Sequence, residues 1–214
     1  MDFHICKETG LRYALHFSDS FSENQLWDLK SGINREEICE HLNFGIRPCY
    51  SFFDDNNTNE FVNCRTPINF NDKIALVFSD YYPNMIIATL IKEAWENRLG
   101  IIVELKRVEL MELVDLVESH SYSVALDIIS FPVSHPMAVG LNFLSLFSEG
   151  NQEEIIEIFE TYLKTNSLDY KKLNQIFDQN AYMTPLFAIQ GFYYKQPYNP
   201  VVIRKDGSMS FEVR

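Results

Sequence analysis

The sequence predicts an α/β fold in which a mixed, mainly parallel sheet is flanked by helices. Three mostly apolar runs between residues 73 and 131 are typical of buried strands. Two segments between them carry apolar residues at helical spacing. The predicted strands cover residues 73–80, 101–108 and 122–130, and the predicted helices cover residues 85–100 and 109–119. Strands joined by single helices of this length run parallel, so this segment predicts the centre of the sheet.

The first third of the chain predicts three short helices. The apolar stripes of the first two are Leu11, Ala14 and Leu15, and then Leu26, Trp27 and Leu29. The third begins after Asn34, whose side chain suits an N-cap, and ends near Gly45. These helices precede residues 73–131, which are called the central unit below.

The last third predicts three more helices and then a group of strands. The helices begin after Pro136 and at residues 151 and 168. The strands cover residues 184–195, 199–207 and 208–214, where turn formers separate apolar runs. His120 lies in a predicted turn.

Composition excludes several classes of protein. The chain has 214 residues, of which 46% are hydrophobic and 22% charged, as in soluble globular proteins. A net charge of −12 argues against a nucleic-acid surface, which needs clustered Lys and Arg. No apolar run approaches the roughly 20 residues of a membrane span. The N-terminal sequence lacks signal-peptide features, so the chain as written is expected in the cytoplasm.

Neither a cofactor nor a metal is predicted. The sequence has no phosphate-binding or nucleophile-elbow motif. The spacings of the N-terminal histidines and cysteines fit no common zinc pattern. Four cysteines without CxxC spacing are expected as free thiols, although an exported precursor would permit one or two disulfides. These are Cys6, Cys39, Cys49 and Cys64.

A ligand site is expected where the parallel strands end, because open α/β sheets bind ligands at that edge. Asp80 and Asp127 lie at or near two strand ends, although a carboxylate there is also a common helix cap or loop acceptor. The segment SFPVSHPM (130–137) follows the third strand, and its prolines stiffen it. Phe131, Ser134 and His135 in this segment could face a ligand. The alternative is a rigid strand-to-helix turn in which Ser134 or His135 caps the next helix.

Five segments, in order along the chain, resemble the family 5 extracellular solute-binding proteins. This family contains the oligopeptide, dipeptide and nickel receptors of ABC importers. The segments are LRYAL (11–15), GINREEICEHLNFGIRPCYS (32–51), IKEAWENRLGIIVEL (91–105), YSVALDIISFPVSHPMAVGLNFL (122–144) and TPLF (184–187). The resemblance covers only the second of the family's two lobes and the strands that return to the first.

The resemblance implies residues 1–183 as a lobe 2-like domain and residues 184–214 as the returning strands. It therefore implies a truncated receptor or half of a split one. An exported receptor would place a fragment like this in the periplasm or outside the cell. Peptide receptors of the family hold the ligand's amino terminus with an acid a few residues before a Pro. Counted back from Pro136, this chain has Pro132 at that position and His135 in place of the usual Asp, so no carboxylate lies between Ser130 and Pro136. Recognition through that contact is not expected here.

The resemblance implies a non-catalytic domain that binds peptide or another small solute and works with an ABC permease. The candidate ligand-binding residues are Tyr81, Tyr82, Ser130, Phe131 and His135. Without the first lobe, self-association or pairing with a partner lobe is expected. Contact with nucleic acid and insertion into a membrane are not.

Two alternatives remain at this stage. One is the ligand-sensing half of a transcriptional regulator, although the chain has no basic helix-turn-helix. The other is a small α/β hydrolase or transferase that uses Asp80, Asp127 and His135. Neighbouring genes would separate transport from regulation, and activity lost on replacing the three residues would indicate an enzyme.

Overall fold

The computed structural model describes residues 2–6, 10–42, 45–53, 73–130, 136–144, 147, 149–180, 182–195, 201–203 and 209–211. The strands are β1 (Asp2–Cys6), β2 (Leu11–Phe17), β3 (Ile46–Pro48), β4 (Ile74–Ser79), β5 (Val103–Val108), β6 (Val124–Ser130), β7 (Met183–Ile189), β8 (Gly191–Lys195), β9 (Val201–Ile203) and β10 (Met209–Phe211). The helices are α1 (Glu23–Ser31), α2 (Arg35–Leu42), α3 (Asn84–Leu99), α4 (Leu110–Glu118), α5 (Pro136–Asn142), α6 (Glu149–Thr165) and α7 (Tyr170–Asn180).

Six strands form the main sheet in the order β3, β7, β2, β6, β4, β5. Strand β4 runs parallel to both β5 and β6. Strand β2 is antiparallel to β6 and β7, and β3 is antiparallel to β7. Strands β4, β5, β6 and β7 therefore share one direction. The α/β class with a mixed sheet flanked by helices is confirmed.

The helix predicted around Leu11, Ala14 and Leu15 is wrong, because this segment is strand β2. Tyr13 and Leu15 belong to one apolar cluster and Ala14 to another, so β2 is covered on both faces. A strand covered on both faces loses the apolar–polar alternation that identifies it in a sequence. Its insertion between β6 and β7 makes two strand pairs antiparallel, and β3 with β7 is a third, so the sheet has more antiparallel pairs than a mainly parallel sheet implies.

The central unit agrees with the prediction in both type and order of its elements. Each of the elements β4, α3, β5, α4 and β6 begins and ends within two residues of its predicted bounds. Only α3 extends beyond its predicted segment, by one residue at its start. Helix α3 ends at Gly100, whose φ of 67° is left-handed and whose N–H donates to the Glu96 carbonyl (3.2 Å). His120 lies in the turn after α4, also with positive φ (53°).

The apolar core covers both faces of the sheet. Helices α1, α2 and α3 pack on the first face, where the fully buried Trp95 donates its indole N–H to the Leu29 carbonyl (2.8 Å). On the second face α5, α6 and α7 form an aromatic-rich cluster that includes Phe159 and Phe177. Helix α4 packs through Leu113 in a separate small cluster. The second face thus carries two apolar clusters.

The second and third predicted N-terminal helices are confirmed as α1 and α2. A capping box at Ser22 begins α1. Asn34 accepts a hydrogen bond from the Glu37 backbone N–H (3.2 Å), as expected of an N-cap. Arg35 is buried and donates through Nε and a terminal nitrogen to the Pro185 carbonyl (3.1 and 3.0 Å). Its guanidinium therefore fixes α2 to β7.

The three C-terminal helices are confirmed as α5, α6 and α7. The predicted strand at 184–195 is instead two strands, because β7 lies inside the main sheet and β8 pairs with β1. Strands β9 and β10 pair with each other. The boundary at 183/184 stays a prediction.

Two further features follow from the described part of the chain. None of its helices combines the length and apolar character needed to span a membrane. Neither Cys39 nor Cys49 forms a disulfide with a described residue, and Cys49 is buried, with its thiol donating to the Ser51 carbonyl (3.1 Å). The side chains of Cys6 and Cys64 lie outside the described part.

Candidate functional site

The carboxyl ends of β4, β5 and β6 meet at one edge of the sheet. Strands β4 and β5 end together, with Ser79 beside Val108. Strand β6 continues further, since Leu126 is its last residue paired with β4 and the strand ends at Ser130. Four residues of β6, about 13 Å of extended chain, project beyond that pair. Among the described strands only β2 pairs with this projection.

The turn from β4 to α3 is held by its own hydrogen bonds. The Asn84 side-chain amide donates to the Ser79 carbonyl (3.2 Å) and hydroxyl (2.9 Å). The backbone N–H of Tyr81 donates to the Ser79 carbonyl (2.8 Å), and that of Asn84 donates to the Tyr81 carbonyl (2.7 Å). The Tyr82–Pro83 peptide bond is cis. Because the base of the turn is buried, the position of the turn is well defined.

This turn presents two aromatic side chains to solvent. Tyr81 is 67% exposed and Tyr82 is 70% exposed. Large exposed aromatic residues on a rigid turn offer contact area at a low conformational-entropy cost. Ser130 is also exposed, at the end of β6. Three of the five predicted ligand-binding residues therefore lie at one sheet edge, while Phe131 and His135 fall outside the described residues.

Asn84 is a positioning residue that the sequence did not single out. It is 1% exposed, and its Oδ1 atom makes no hydrogen bond to any described residue. Its amide nitrogen fixes the turn, so its effect on a ligand would act through Tyr81 and Tyr82. An Asn at the end of the short turn between a strand and a helix is the signal that would have identified it.

The two carboxylates predicted near the strand ends have different environments. Asp80 lies at the edge and forms an ion pair with Arg107 (3.5 Å), with both side chains more than half exposed. A pair of this kind contributes little to stability. Asp127 is the first residue of β6 beyond its pairing with β4, so it lies near the strand end, as predicted, but its side chain is on a sheet face. Its carboxylate instead faces His16 Nε2 at 3.8 Å, and burial raises the pKa of Asp127.

The proposed hydrolase set is not assembled by the described residues. Asp80 is at the carboxyl edge, Asp127 is on a sheet face, and His135 is outside the described part. Among the residues that the structure describes, no group of three His, Cys, Asp or Glu side chains is arranged to hold a metal ion. What the edge offers is aromatic surface and strand backbone, which suit ligand binding.

Comparison with solved structures shows the fold. The substrate-binding domain of an oligopeptide ABC transporter from Bacillus anthracis matches 97% of this chain over 49% of its own length, with a TM-score of 0.71 and 14% identity. The murein tripeptide binding protein MppA of Escherichia coli matches 92% of this chain over 46% of its own, with a TM-score of 0.67 and 13% identity. Haemophilus influenzae OppA, solved in complex with the peptide RPPGFSPFR, matches 92% of this chain over 46% of its own length, with a TM-score of 0.69 and 14% identity.

The chain therefore spans about half the length of the solved proteins it matches. No family model and no curated protein sequence matches it. At this level of identity the similarity establishes a fold like that of periplasmic binding proteins.

Proposed function

We propose that this chain is a non-catalytic, solute-binding-protein-like domain that binds peptides or related small solutes at the carboxyl edge of its sheet. One observation carries the proposal: almost the whole chain superposes on about half of proteins named as peptide-binding components of ABC transporters. Membership of the family 5 receptors and pairing with an ABC permease belong to the same proposal. So do the division at 183/184 and a location outside the cytoplasm for an exported form.

The projecting part of β6 is suited to bind an extended peptide. Its residues 127–130 pair with β2 on one side only, among the described strands. The Ile128 N–H already donates to the Asp127 side chain (2.7 Å). In the proposal the remaining backbone groups on the other side, which no described strand pairs with, bind a peptide main chain, as in strand addition. A ligand bound there would have the β4–α3 turn beside it, with Tyr81 and Tyr82 as aromatic contacts. Backbone pairing would supply affinity with little dependence on peptide sequence.

A second surface would complete this site. Ligand pockets bury most of a ligand's surface, whereas one sheet edge contacts a ligand from one side. In the proposal the opposite wall comes from a partner lobe or from a second copy of the chain. Sedimentation velocity over a wide concentration range tests the second possibility, and a monomer at every concentration, with peptide present, would argue against it.

The direct test uses the two tyrosines. Binding of a mixture of tripeptides to pentapeptides is measured by native mass spectrometry, and the strongest binder is then titrated by calorimetry. Tyr81→Ala and Tyr82→Ala should each weaken binding about tenfold, because each removes an aromatic contact. Tyr170→Ala, at a partly exposed position on α7, is the matched control and should leave affinity unchanged.

Two results would contradict the proposal. One is that the folded protein binds no peptide of the mixture. The other is equal loss of affinity in the Tyr170→Ala control, since that would indicate a non-specific effect. Peptide binding that survives both edge substitutions would move the site away from the turn.

A further inference from the structure

A cavity lies at the opposite edge of the sheet from the proposed peptide site, where β6 begins. It has a volume of about 390 Å³, within the range of small-molecule pockets. It is bounded by the end of β2, the end of α4, and the residues that precede β6 and β7. The lining residues are His16, Phe17, Asp19, Val117, Glu118, His120, Tyr122 and Tyr182. The seven-residue strand β6 separates this cavity from Ser130 at the proposed peptide edge.

Backbone hydrogen bonds hold the cavity walls together. The Phe17 N–H donates to the Tyr182 carbonyl (2.7 Å), and the Ser18 N–H donates to the Ser123 carbonyl (2.9 Å). These two bonds join the end of β2 to the segments that begin β7 and β6. The Ser121 N–H donates to the Leu116 carbonyl (3.0 Å) and closes the end of α4. The cavity is therefore a preformed feature of the fold.

The inner wall contains a buried imidazole. The His16 side chain is only 12% exposed, and its Nε2 atom makes no hydrogen bond to any described residue. Tyr122 packs edge-on against the ring, with centroids 6.5 Å apart and planes at 89°. Burial, and then the nearby His120, lower the pKa of His16 to about 4. The imidazole is thus neutral at neutral pH and adds no positive charge to the cavity.

The remaining lining is acidic and aromatic. Asp19 and Glu118 are exposed carboxylates at the rim, and the described lining includes no Lys or Arg. Tyr122 and Tyr182 add aromatic rings to the walls. Carboxylates attract a cation electrostatically before it makes contact, and the faces of aromatic rings bind cations by direct contact. An anionic ligand would meet repulsion from these carboxylates at the rim.

We propose that this cavity is a second binding site, which takes a small organic cation: a primary ammonium group on an apolar body. The ammonium group would bind between the carboxylates of Asp19 and Glu118, and the apolar body would pack against Tyr122 and Tyr182. The site is separate from the peptide edge, and it does not depend on peptide being bound there.

The experiment uses the full chain and 2-phenylethylammonium as the probe, with 2-phenylethanol as a neutral probe of similar shape. Titrations are followed by 1H–15N correlation spectra at neutral pH. The amides of residues 117–123 and 182 should shift in a saturable way with the ammonium probe. The alcohol should bind at least about tenfold more weakly, because it lacks the charge that the carboxylates recognise.

Substitutions locate the site. The double variant Asp19→Asn, Glu118→Gln should weaken the ammonium probe about tenfold, and both positions are exposed, so the fold should be retained. Glu112→Gln removes a carboxylate on the same helix, where it lies 3.9 Å from Lys106 and outside the cavity. This control should leave binding unchanged.

Two sources of the ammonium group are distinguished with a third and a fourth probe. Phe-Gly-Gly with a free amino terminus and its N-acetylated form are titrated in the same way. Binding by the amine and the free tripeptide indicates recognition of a chain's amino terminus, whereas binding by the amine alone indicates a free amine. The proposal is overturned by equal binding of the alcohol, by no saturable shift at residues 117–123, or by unchanged binding in the double variant.

Discussion

Gly140 lies where helix α5 crosses α6, and a substitution there tests the packing of the second sheet face. A Cβ atom added at Gly140 would lie 2.3 Å from Phe159 Cζ and 2.7 Å from Cε2. Ordinary contact requires 3.4–4 Å. The ring would have to retreat by about 1 Å, but Phe159 is 3% exposed in a close-packed aromatic cluster. We expect Gly140→Ala to strain this cluster.

The expected magnitude is the balance of two effects. Overpacking a core costs about 1–3 kcal/mol, and the size of this displacement favours the upper end. Replacing Gly by Ala within a helix returns up to about 1 kcal/mol through backbone propensity. The net result is a loss of about 2 kcal/mol in the free energy of unfolding. For a chain of this length, that loss lowers the Tm by about 4–8 °C.

Gly150 supplies the matched control, because it also lies in a helix, α6, and has nothing within 4 Å of the added Cβ. Gly150→Ala should be neutral or stabilise by about 0.5 kcal/mol.

The double variant Gly140→Ala, Phe159→Leu removes the end of the ring that the methyl group meets. Relative to Phe159→Leu alone, Gly140→Ala should then cost at least about 1 kcal/mol less than in the wild type.

Guanidinium unfolding followed by circular dichroism measures these differences, with the slope m required to stay constant between variants. The reasoning is refuted if Gly140→Ala is as stable as the wild type, or if its cost is the same with Leu at position 159. In either case the α5–α6 contact would be looser than the distances indicate. The first residues of α5 follow directly on the predicted ligand segment, so a strained α5 should also perturb that segment.

Three further predictions concern buried polar groups. Asn84→Ala removes both hydrogen bonds to Ser79 and should destabilise by about 1–3 kcal/mol, seen as a lower denaturation midpoint; an unchanged midpoint would mean that the turn is held by other contacts. Arg35→Met removes both hydrogen bonds to the Pro185 carbonyl and should cost about 3 kcal/mol in the same assay. A loss below about 1 kcal/mol would contradict the role of Arg35 in fixing α2 to β7. The pKa of His16 is lowered from 6.5 to about 4 in the folded chain, so on acidification the unfolded chain binds the proton first. The free energy of unfolding should therefore fall by up to about 3 kcal/mol between these pH values, relative to the His16→Gln variant. Parallel pH profiles of stability for the two proteins would exclude this.

Local periodicity was enough to predict the elements whose two faces differ. Helices α6 and α7 have one apolar side and one polar side, so their spacing is visible in the sequence. Strand β2 is different, because Leu11, Ala14 and Leu15 also fit helical spacing and its burial on both faces removes the alternation. Its identity is decided by two long-range antiparallel neighbours, β6 and β7, which lie more than a hundred residues away. A single sequence carries no local signal for such pairings.

The two sites differ in the same way. Tyr81 and Tyr82 directly follow a predicted strand, so the rule that ligands bind at strand ends was sufficient to place them at the edge. The cavity beside His16 is lined by three separate segments, which are residues 16–19, residues 117–122 and residue 182. His16 lies beside Asp127 and Tyr122 only because β2 pairs with β6. The sequence placed Asp127 near a ligand edge and His120 in a turn. The structure connects His16 with both, because the pKa of His16 responds to His120 and its ring faces Asp127.

The exposed tyrosines bear on how much of the proposed site this chain can supply. Tyr81 and Tyr82 are both at least two-thirds exposed, on a turn whose base is buried and hydrogen-bonded. Folding alone therefore does not account for two large aromatic residues at this place, because neither contributes to the core. Burial of both rings at once requires a surface opposite the turn, and a short peptide on β6 covers one side. In the proposed function the aromatic pair is thus one wall of a two-walled site, whereas residues of this chain line the cavity beside His16 on several sides.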